Sequence, residues 1–358
     1  MDRLQQLRDA GQSIWLDDIT RASLRSGELR GWIEVHHLTG LTSNPSIFNL
    51  ALAAASEYDA ELHDLAHRAV RDDDALIELM LSDLREAADL FALAHEETDG
   101  VDGWVSIEVS PLLAYDAAAS GAEAQRLHVL AARRNLFVKI PGTPPGIAAI
   151  EECTFVGVPI NVTLLFSTAQ YLAAAEAYLR GLERRVAVGL PPNVPSVASL
   201  FISRWDRAIA DSAPPALRNR LGVTIAAQAL EAYRALLTSD RWLRLQNHGA
   251  RPQRLLWASL GMKDPAASDV LYLESLAAPL TIATVPLRTL EAFADHGRIE
   301  ATLNPDPNET TEALAQFARA DIDLDALAER MQRDGAEEFM RAWHSAVQAV
   351  ASKRRATA

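Results

Sequence analysis

The stretch LFVKIPGTPPGIAAIEECTFVGVPINVTLLF, residues 136–166, decides the fold class. It opens with a short apolar run at 136–140 and closes with another at 159–166, each of the length of a buried strand. Both runs are apolar at successive positions, which is typical of parallel strands covered by helices on their faces. A helical pattern lies between them, so the stretch predicts a strand–helix–strand unit.

The same alternation extends along the whole chain. The predicted strands are 13–17, 38–43, 104–109, 136–140, 159–166, 197–202, 255–259 and 280–285. The clearest helical stretches, 75–97 and 170–185, have apolar residues at three- and four-residue spacing. Eight strands separated by helices predict an α/β fold, a (β/α)8 TIM barrel. A doubly wound open sheet is the alternative, but Asp17-Asp18-Ile19-Thr20 is unlike the glycine-rich turn that usually follows its first strand.

The chain is longer than a simple barrel requires. It has 358 residues, whereas a typical barrel needs about 250. We assign the surplus to extra helices at 45–99, between strands 2 and 3, and to a C-terminal helical decoration at 309–351. The sequence has no Pro/Gly/Ser linker and no repeat of fixed period, so we expect a single domain over 1–358.

Charge and composition exclude several classes of partner. The net charge is −14, which repels phosphate backbones, so we expect no nucleic-acid partner. The start MDRLQQLRDAGQS lacks the apolar run of a signal peptide, and no uncharged stretch approaches the roughly 20 residues that span a bilayer. Cys153 is the single cysteine, expected as a small buried side chain in a reducing compartment. We therefore expect a cytoplasmic protein without membrane contact.

Polar residues end seven of the eight predicted strands. Because barrel enzymes place catalysis at the carboxyl ends of their strands, we expect these side chains to converge on one mouth. In chain order they are Asp17, then Thr42, Ser43 and Asn44, then Glu108, Lys139, Asn161 and Thr163, then Ser199 and Arg204, and finally Ser259.

Lys139 is the strongest candidate for a catalytic residue among them. Only three of the 34 basic residues are lysines, and Lys139 is surrounded by apolar neighbours in LFVKIP. Burial disfavours a charged ammonium, and a neutral amine attacks carbonyls to form a Schiff base. Arginine cannot replace it because its guanidinium stays protonated. The alternative is a lysine at a strand end that buries its aliphatic chain while its ammonium reaches water.

Asp17 and Glu108 supply the carboxylates that Schiff-base chemistry requires for proton transfer. The alternative for Asp17 is a helix N-cap, a role for which we expect Asp18 instead. The alternative for Glu108 is a solvated surface carboxylate. The nine histidines are scattered, and HExxH, paired CxxC and P-loop motifs are lacking. We therefore expect a mechanism without metal or cofactor.

Several motifs resemble the transaldolase family, in particular its longer bacterial subgroup. The resemblance covers nearly the whole chain in order. It is carried by GLTSNPSIF (40–48), LFVKIPGTPPGIAAIEE (136–152), INVTLLFS (160–167), VASLFISRWD (197–206) and RLLWASLGMKDP (254–265). TSNPS and the lysine motif together are specific, while either alone is only moderately so.

The resemblance implies roles for the catalytic side chains. Lys139 would form the Schiff base with the donor ketose, and Asp17 would remove the hydroxyl proton that triggers C–C cleavage. Glu108 would move protons through a water molecule held by Thr163.

The resemblance also implies a set of substrate-binding residues. Asn44 and Asn161 would hold hydroxyls of the three-carbon unit, with Thr42 and Ser43 shaping the loop. Ser199 and Arg204 would bind the substrate phosphate, for which the arginine fork is suited.

The motif WASLGMKD departs from the family pattern. Many transaldolases have an arginine here that helps to grip the phosphate. Lys263 is the candidate substitute, and the alternative is a loop cation paired with Asp264. Ser259, at the start of this loop, stays in the predicted binding set.

The resemblance implies a transaldolase of the pentose phosphate pathway, and we expect it to act on sedoheptulose 7-phosphate and glyceraldehyde 3-phosphate. A fructose-6-phosphate aldolase that releases free dihydroxyacetone is the alternative within the same fold. A non-enzymatic barrel that binds sugar phosphates, and a phosphosugar isomerase, leave Lys139 without a covalent role. The expected partners are sugar phosphates. The sequence does not determine the oligomeric state, and a homodimer is one option.

Overall fold

Eight parallel strands form one closed barrel. The computed structural model describes residues 3–54, 57–68 and 70–357. Each strand pairs with the next in sequence, and the last pairs with the first, so the predicted (β/α)8 barrel is confirmed. The strands are β1 (Ser13–Leu16), β2 (Gly40–Thr42), β3 (Trp104–Glu108), β4 (Leu136–Pro141), β5 (Ile160–Leu165), β6 (Ser196–Phe201), β7 (Gln253–Ala258) and β8 (Ile282–Val285).

All eight predicted strands are found, with ends that differ by at most two residues from the prediction. Every residue of every strand is buried, because helices cover the outside of the barrel and side chains fill its interior. The strand signal from continuous apolar runs was therefore strong. The exact ends depend on where the neighbouring strand stops pairing, which the local sequence does not encode.

Helices surround the barrel and extend beyond it. Within the described ranges no helix is both long and apolar enough to cross a membrane. The α-helices there are α1 (Arg3–Asp9), α2 (Arg21–Ser26), α3 (Glu28–His36), α4 (Pro45–Ala54), α5 (Asp59–His67), α6 (Asp72–Leu90), α7 (Ala92–Glu97), α8 (Ala117–Ala131), α9 (Pro144–Val156), α10 (Thr168–Ala187), α11 (Ser203–Ala208), α12 (Leu221–Leu237), α13 (Asp240–Asn247), α14 (Leu271–Ser275), α15 (Leu287–His296), α16 (Pro307–Arg319) and α17 (Leu324–Thr357).

The predicted extra helices are present. Helices α4 to α7 lie between β2 and β3, and α16 and α17 follow the barrel. The last helix packs against α4, α5 and α6, and Lys353 Nζ lies 2.8 Å from Asp59 Oδ1 at this contact. The two regions of surplus sequence therefore pack on each other. The helical stretch 75–97 divides at Phe91, whose buried ring stays in the core while the chain turns into α7.

Aromatic rings fill the barrel beneath the polar strand ends. Trp104 and Phe137 stack with ring centroids 4.0 Å apart, and Trp15 lies 6.2 Å from Phe137. All three rings are buried, each contributing about 1.5–3 kcal/mol by burial. Gly40 faces the Trp15 indole so closely that a Cβ would lie 2.5 Å from its Nε1. Glycine is therefore required there, and the packed rings form an apolar layer beneath Lys139 and Glu108.

Candidate active site

The amine of Lys139 lies inside the barrel. The register of β3 and β4 pairs Glu108 with Lys139, which places both side chains in one layer. Lys139 is 5 % exposed and Glu108 1 %. The amine donates a hydrogen bond to the Ser43 carbonyl at 2.9 Å and lies 3.3 Å from Glu108 Oε2. The alternative of a strand-end ammonium in bulk water is therefore wrong.

Glu108 is a buried carboxyl with a perturbed pKa. Burial raises its pKa, the positive charge of Lys139 opposes that rise, and the nearby charge of Asp17 adds to it. Apart from the lysine amine, its two carboxyl oxygens have no partner among the described residues. The alternative of a solvated surface carboxylate is also wrong. A buried carboxyl beside an amine is suited to accepting a proton from it and returning it.

Asp17 lies one residue beyond β1 and faces the same space. Its Oδ1 accepts a hydrogen bond from the Thr42 hydroxyl at 2.9 Å. Burial raises the pKa of Asp17, while the charge of Lys139 and the Thr42 hydrogen bond oppose the rise. Helix α2 is capped by Thr20, whose hydroxyl accepts from Ser23 N at 3.0 Å. The expectation that Asp18 caps a helix is wrong, because the helix begins only at Arg21.

Strands β5 and β6 add a chain of polar side chains. Ser199 donates its hydroxyl proton to Asn161 Oδ1 at 2.7 Å, and Asn161 Nδ2 donates to Ser106 Oγ at 3.2 Å. The Thr163 hydroxyl is buried and has no partner among the described residues. A buried hydroxyl without a protein partner is the kind of group that a buried water molecule satisfies.

The loop after β2 is held by its own hydrogen bonds. The Ser43 hydroxyl donates to the Ser106 carbonyl at 2.7 Å. Asn44 Oδ1 accepts from the backbone N–H groups of Ser46 and Ile47 at 3.0 and 3.1 Å. This contact caps the start of α4. Because the cap uses the amide oxygen of Asn44, its NH2 group is left to face a ligand.

These groups surround a cavity of about 140 Å³. Eight of the twelve predicted site residues line it, and the other four, Ser43, Glu108, Asn161 and Lys263, are not among the lining residues. A larger cavity of about 960 Å³ lies at the opposite end of the barrel and contains none of the twelve. The smaller cavity is the candidate active site because it is lined by Lys139 and Asp17. Its lining is Asp17, Thr42, Asn44, Ser46, Lys139, Thr163, Ser199, Phe201, Arg204, Ala258, Ser259, Thr284, Glu338 and Phe339.

Four polar site residues were missed by sequence reasoning, namely Ser46, Ser106, Thr284 and Glu338. Ser106 lies two positions before Glu108, so strand alternation could have placed it on the same face. Thr284 lies within β8, and its hydroxyl is 2.7 Å from that of Thr42. Glu338 carries no such signal, since it lies on α17, far from every strand in sequence.

Lys263 does not line this cavity. It lies in an adjoining cavity of about 350 Å³ with Arg207. Burial lowers the pKa of Lys263, and the charges of Arg288, Arg207 and Arg204 lower it further. The alternative of an ion pair with Asp264 is not found among the described residues. Asp264 instead accepts a hydrogen bond from the side-chain amide of Asn219 at 2.8 Å.

A barrel that buries a lysine amine beside two carboxyl groups at the carboxyl ends of its strands defines a class of enzymes, those suited to Schiff-base chemistry on a carbonyl. The family model described as Transaldolase/Fructose-6-phosphate aldolase matches residues 14–350. The chain belongs to this family, as its motifs predicted.

Full-length relatives agree with this assignment. The chain is 41% identical over 366 residues to a transaldolase of Thermobifida fusca, covering 98% of both proteins. It is 40% identical over 359 residues to Transaldolase 2 of Streptomyces avermitilis, covering 96% of this chain and 95% of the relative. A transaldolase of Thiobacillus denitrificans is 43% identical over 337 residues, covering 92% of this chain and 94% of the relative.

Proposed function

We propose that this chain is a transaldolase that moves a dihydroxyacetone unit from sedoheptulose 7-phosphate to glyceraldehyde 3-phosphate in the pentose phosphate pathway. The observation that carries the proposal is the position of Lys139 Nζ. It is buried, 2.9 Å from the Ser43 carbonyl and 3.3 Å from a Glu108 carboxyl oxygen. The family match and the relatives named transaldolase support the same reaction.

The first stage joins the donor to Lys139. The amine gives up a proton to Glu108 and attacks the C2 carbonyl of the ketose, which forms a carbinolamine. Loss of the C2 hydroxyl as water, with a proton supplied from Glu108, gives the Schiff base. The raised pKa of Glu108 supports both directions of this transfer, and a water molecule bound to the Thr163 hydroxyl connects the groups.

The second stage breaks and remakes one C–C bond. Asp17 removes the C4 hydroxyl proton, the C3–C4 bond breaks, and its electron pair moves into the iminium group on Lys139. The released aldehyde leaves an enamine, and the nucleophilic C3 of this enamine attacks the carbonyl carbon of the acceptor. Asp17 returns its proton to the new alkoxide, and hydrolysis of the Schiff base frees the product ketose and Lys139.

Neutral polar groups hold the three-carbon unit during this exchange. The NH2 group of Asn44 and the amide of Asn161 bind its hydroxyls, while Thr42 and Ser43 keep the loop after β2 in position. Ser259 adds a hydroxyl from the end of β7 and shares a hydrogen bond of 3.0 Å with Ser203.

A cationic group at the mouth binds the substrate phosphate. Arg204 lines the active-site cavity, and Lys263 lies close enough for the charge of Arg204 to lower its pKa. Arg204 makes the direct contact, and Lys263 adds positive charge from the adjoining cavity. Ser199 joins the contact by turning its hydroxyl from Asn161 to the phosphate.

Borohydride trapping with sedoheptulose 7-phosphate tests the proposal. Reduction of the Schiff base would fix a covalent adduct whose position peptide mass spectrometry reports. We expect the adduct on Lys139 of the wild-type protein and none in Lys139→Met. No adduct, or an adduct on Lys263 or Lys353, would refute the mechanism.

Incubation with fructose 6-phosphate alone separates transfer from simple cleavage. A transferase keeps the enamine on Lys139 until an acceptor arrives, so free dihydroxyacetone should accumulate slowly. Rapid release of dihydroxyacetone would assign the chain to the aldolase side of its family. The cytoplasm is the proposed compartment, which suits the buried free thiol of Cys153.

A further inference from the structure

The last helix brings a carboxylate into the active site. Glu338, near the middle of α17, lines the cavity that contains Lys139. Its Oε2 lies 2.5 Å from Nη1 of Arg204. The arginine side chain is 16% exposed and the glutamate side chain 43%, so the pair is partly shielded from water. Both groups face the space into which a substrate must enter.

In this ion pair, Glu338 contacts Arg204, the side chain that we propose binds the substrate phosphate. A carboxylate and a phosphate bind arginine through the same N–H donors, so both cannot use Nη1 fully at once. The surroundings are otherwise cationic, since the charges of Arg204, Arg207 and Arg288 all act on Lys263 and lower its pKa. The Glu338 carboxylate therefore competes with the substrate phosphate for the N–H donors of Arg204.

We propose that Glu338 is a specificity-determining residue, an internal counter-ion on Arg204 that the substrate phosphate must displace. It weakens the binding of phosphate esters and leaves the reacting end of the sugar unaffected. Glu338 thereby limits the retention of phosphorylated products, which would otherwise be held by the concentrated positive charge. This inference rests on the proposed role of Arg204 in binding phosphate.

Helix α17 supplies a matched control. Glu337 is adjacent to Glu338, but its carboxylate lies 3.6 Å from Arg341 on the solvent side, where its side chain is 62% exposed. Glu337→Gln and Glu338→Gln remove the same charge from neighbouring positions of one helix. A difference between them therefore reports on Arg204 rather than on net charge.

The test measures inorganic phosphate binding by calorimetry and acceptor kinetics with glyceraldehyde 3-phosphate and unphosphorylated glyceraldehyde. In Glu338→Gln we expect phosphate to bind about two- to fivefold more tightly, the range for a partly exposed ion pair. KM for glyceraldehyde 3-phosphate should fall by a similar factor, and kcat/KM should change less for glyceraldehyde, because this acceptor has no phosphate to compete for Arg204. Glu337→Gln should match the wild-type protein.

Weaker or unchanged phosphate binding in Glu338→Gln would overturn the inference, because the carboxylate would then orient Arg204 or be irrelevant to it. Arg204→Gln separates this failure from failure of the proposed phosphate site. If phosphate binding falls in Arg204→Gln but does not tighten in Glu338→Gln, only the role of Glu338 is wrong. If phosphate binding is unchanged in Arg204→Gln, the phosphate site itself is wrong and the inference falls with it.

Discussion

The hydroxyl of Thr42 donates a hydrogen bond to the carboxylate of Asp17 across 2.9 Å. Since that proton is committed to Asp17, the 2.7 Å contact between Thr42 and Thr284 has Thr284 as its donor. Hydrogen bonds thus run from the Thr284 hydroxyl on β8 to the Thr42 hydroxyl on β2, and from there to the Asp17 carboxylate, one residue beyond β1. Asp17 is the proposed base, and the Thr42 hydrogen bond lowers the pKa of that base against the larger, opposite effect of burial.

Thr42→Val should move the acidic limb of the pH–rate profile to higher pH. Burial already raises the pKa of Asp17 and the Thr42 hydrogen bond lowers it, so removal of the bond raises it further. A hydrogen bond to a charged group contributes about 1.5–3 kcal/mol, which corresponds to about one to two pH units. The measurement is kcat/KM against pH. Thr284→Val keeps the Asp17 contact and should leave the limb in place, whereas an unmoved limb in Thr42→Val would contradict the role of Asp17.

Lys139→Arg and Lys139→Met should each lose at least about 10³-fold in kcat, the scale seen when a nucleophile is removed. Arginine keeps the charge and methionine keeps the approximate length, but neither has a nucleophilic amine. Circular dichroism and the melting temperature check that the barrel still folds. Turnover within tenfold of the wild-type protein in either folded variant would rule out the Schiff-base mechanism.

Thr163→Val should slow Schiff-base formation by about 10- to 100-fold, less than the full effect of about 10²–10⁴ for general acid–base catalysis. The variant keeps the shape of the side chain but removes the buried hydroxyl that would hold the water molecule. The rate of borohydride-trapped adduct formation measures this step. Thr154 provides the control, since its hydroxyl is equally buried and unpartnered among the described residues but lies on α9. If Thr154→Val slows the step as much, the effect is not specific to the site.

Gln332→Leu should destabilise the protein and loosen the active-site end of α17. Gln332 Nε2 donates to the carbonyls of Gly142 and Leu164 at 3.0 and 2.9 Å. Gly142 directly follows β4, the strand of Lys139, and Leu164 follows Thr163 on β5. Leaving their buried carbonyls unpaired costs about 1–3 kcal/mol. Urea unfolding measures the loss, and we expect KM for the donor to rise with it. The exposed Gln348, on the same helix, gives the control Gln348→Leu, which should change neither quantity.

The barrel was predictable because its evidence is local. Each strand is a short run of apolar residues, and each must be apolar at successive positions because helices cover one face and the barrel interior the other. The site was predictable to the extent that it follows strand ends. Lys139, Glu108 and Asp17 were expected at one mouth: Lys139 and Glu108 lie 3.3 Å apart, and Asp17 is close enough for the charge of Lys139 to lower its pKa.

Contributions from loops and from the last helix were not predictable in this way. Lys263 follows a strand end, yet the loop carries it into the adjoining cavity. Glu338 lies 134 residues from Arg204 in sequence, and the periodicity of α17 gives no sign that this one of its many charged residues turns inward.

The sequence by itself determined the strand–helix alternation, the ring of polar strand ends and the choice of Lys139 as the proposed nucleophile, because period, burial preference and side-chain chemistry are properties of neighbouring residues. The tertiary structure alone decided which counter-ion each of these groups meets. Packing of α17 against α4, α5 and α6 places Glu338 on Arg204, and the register of β3 with β4 places Glu108 beside Lys139. Such contacts depend on the closure of the whole chain, so no short segment encodes them.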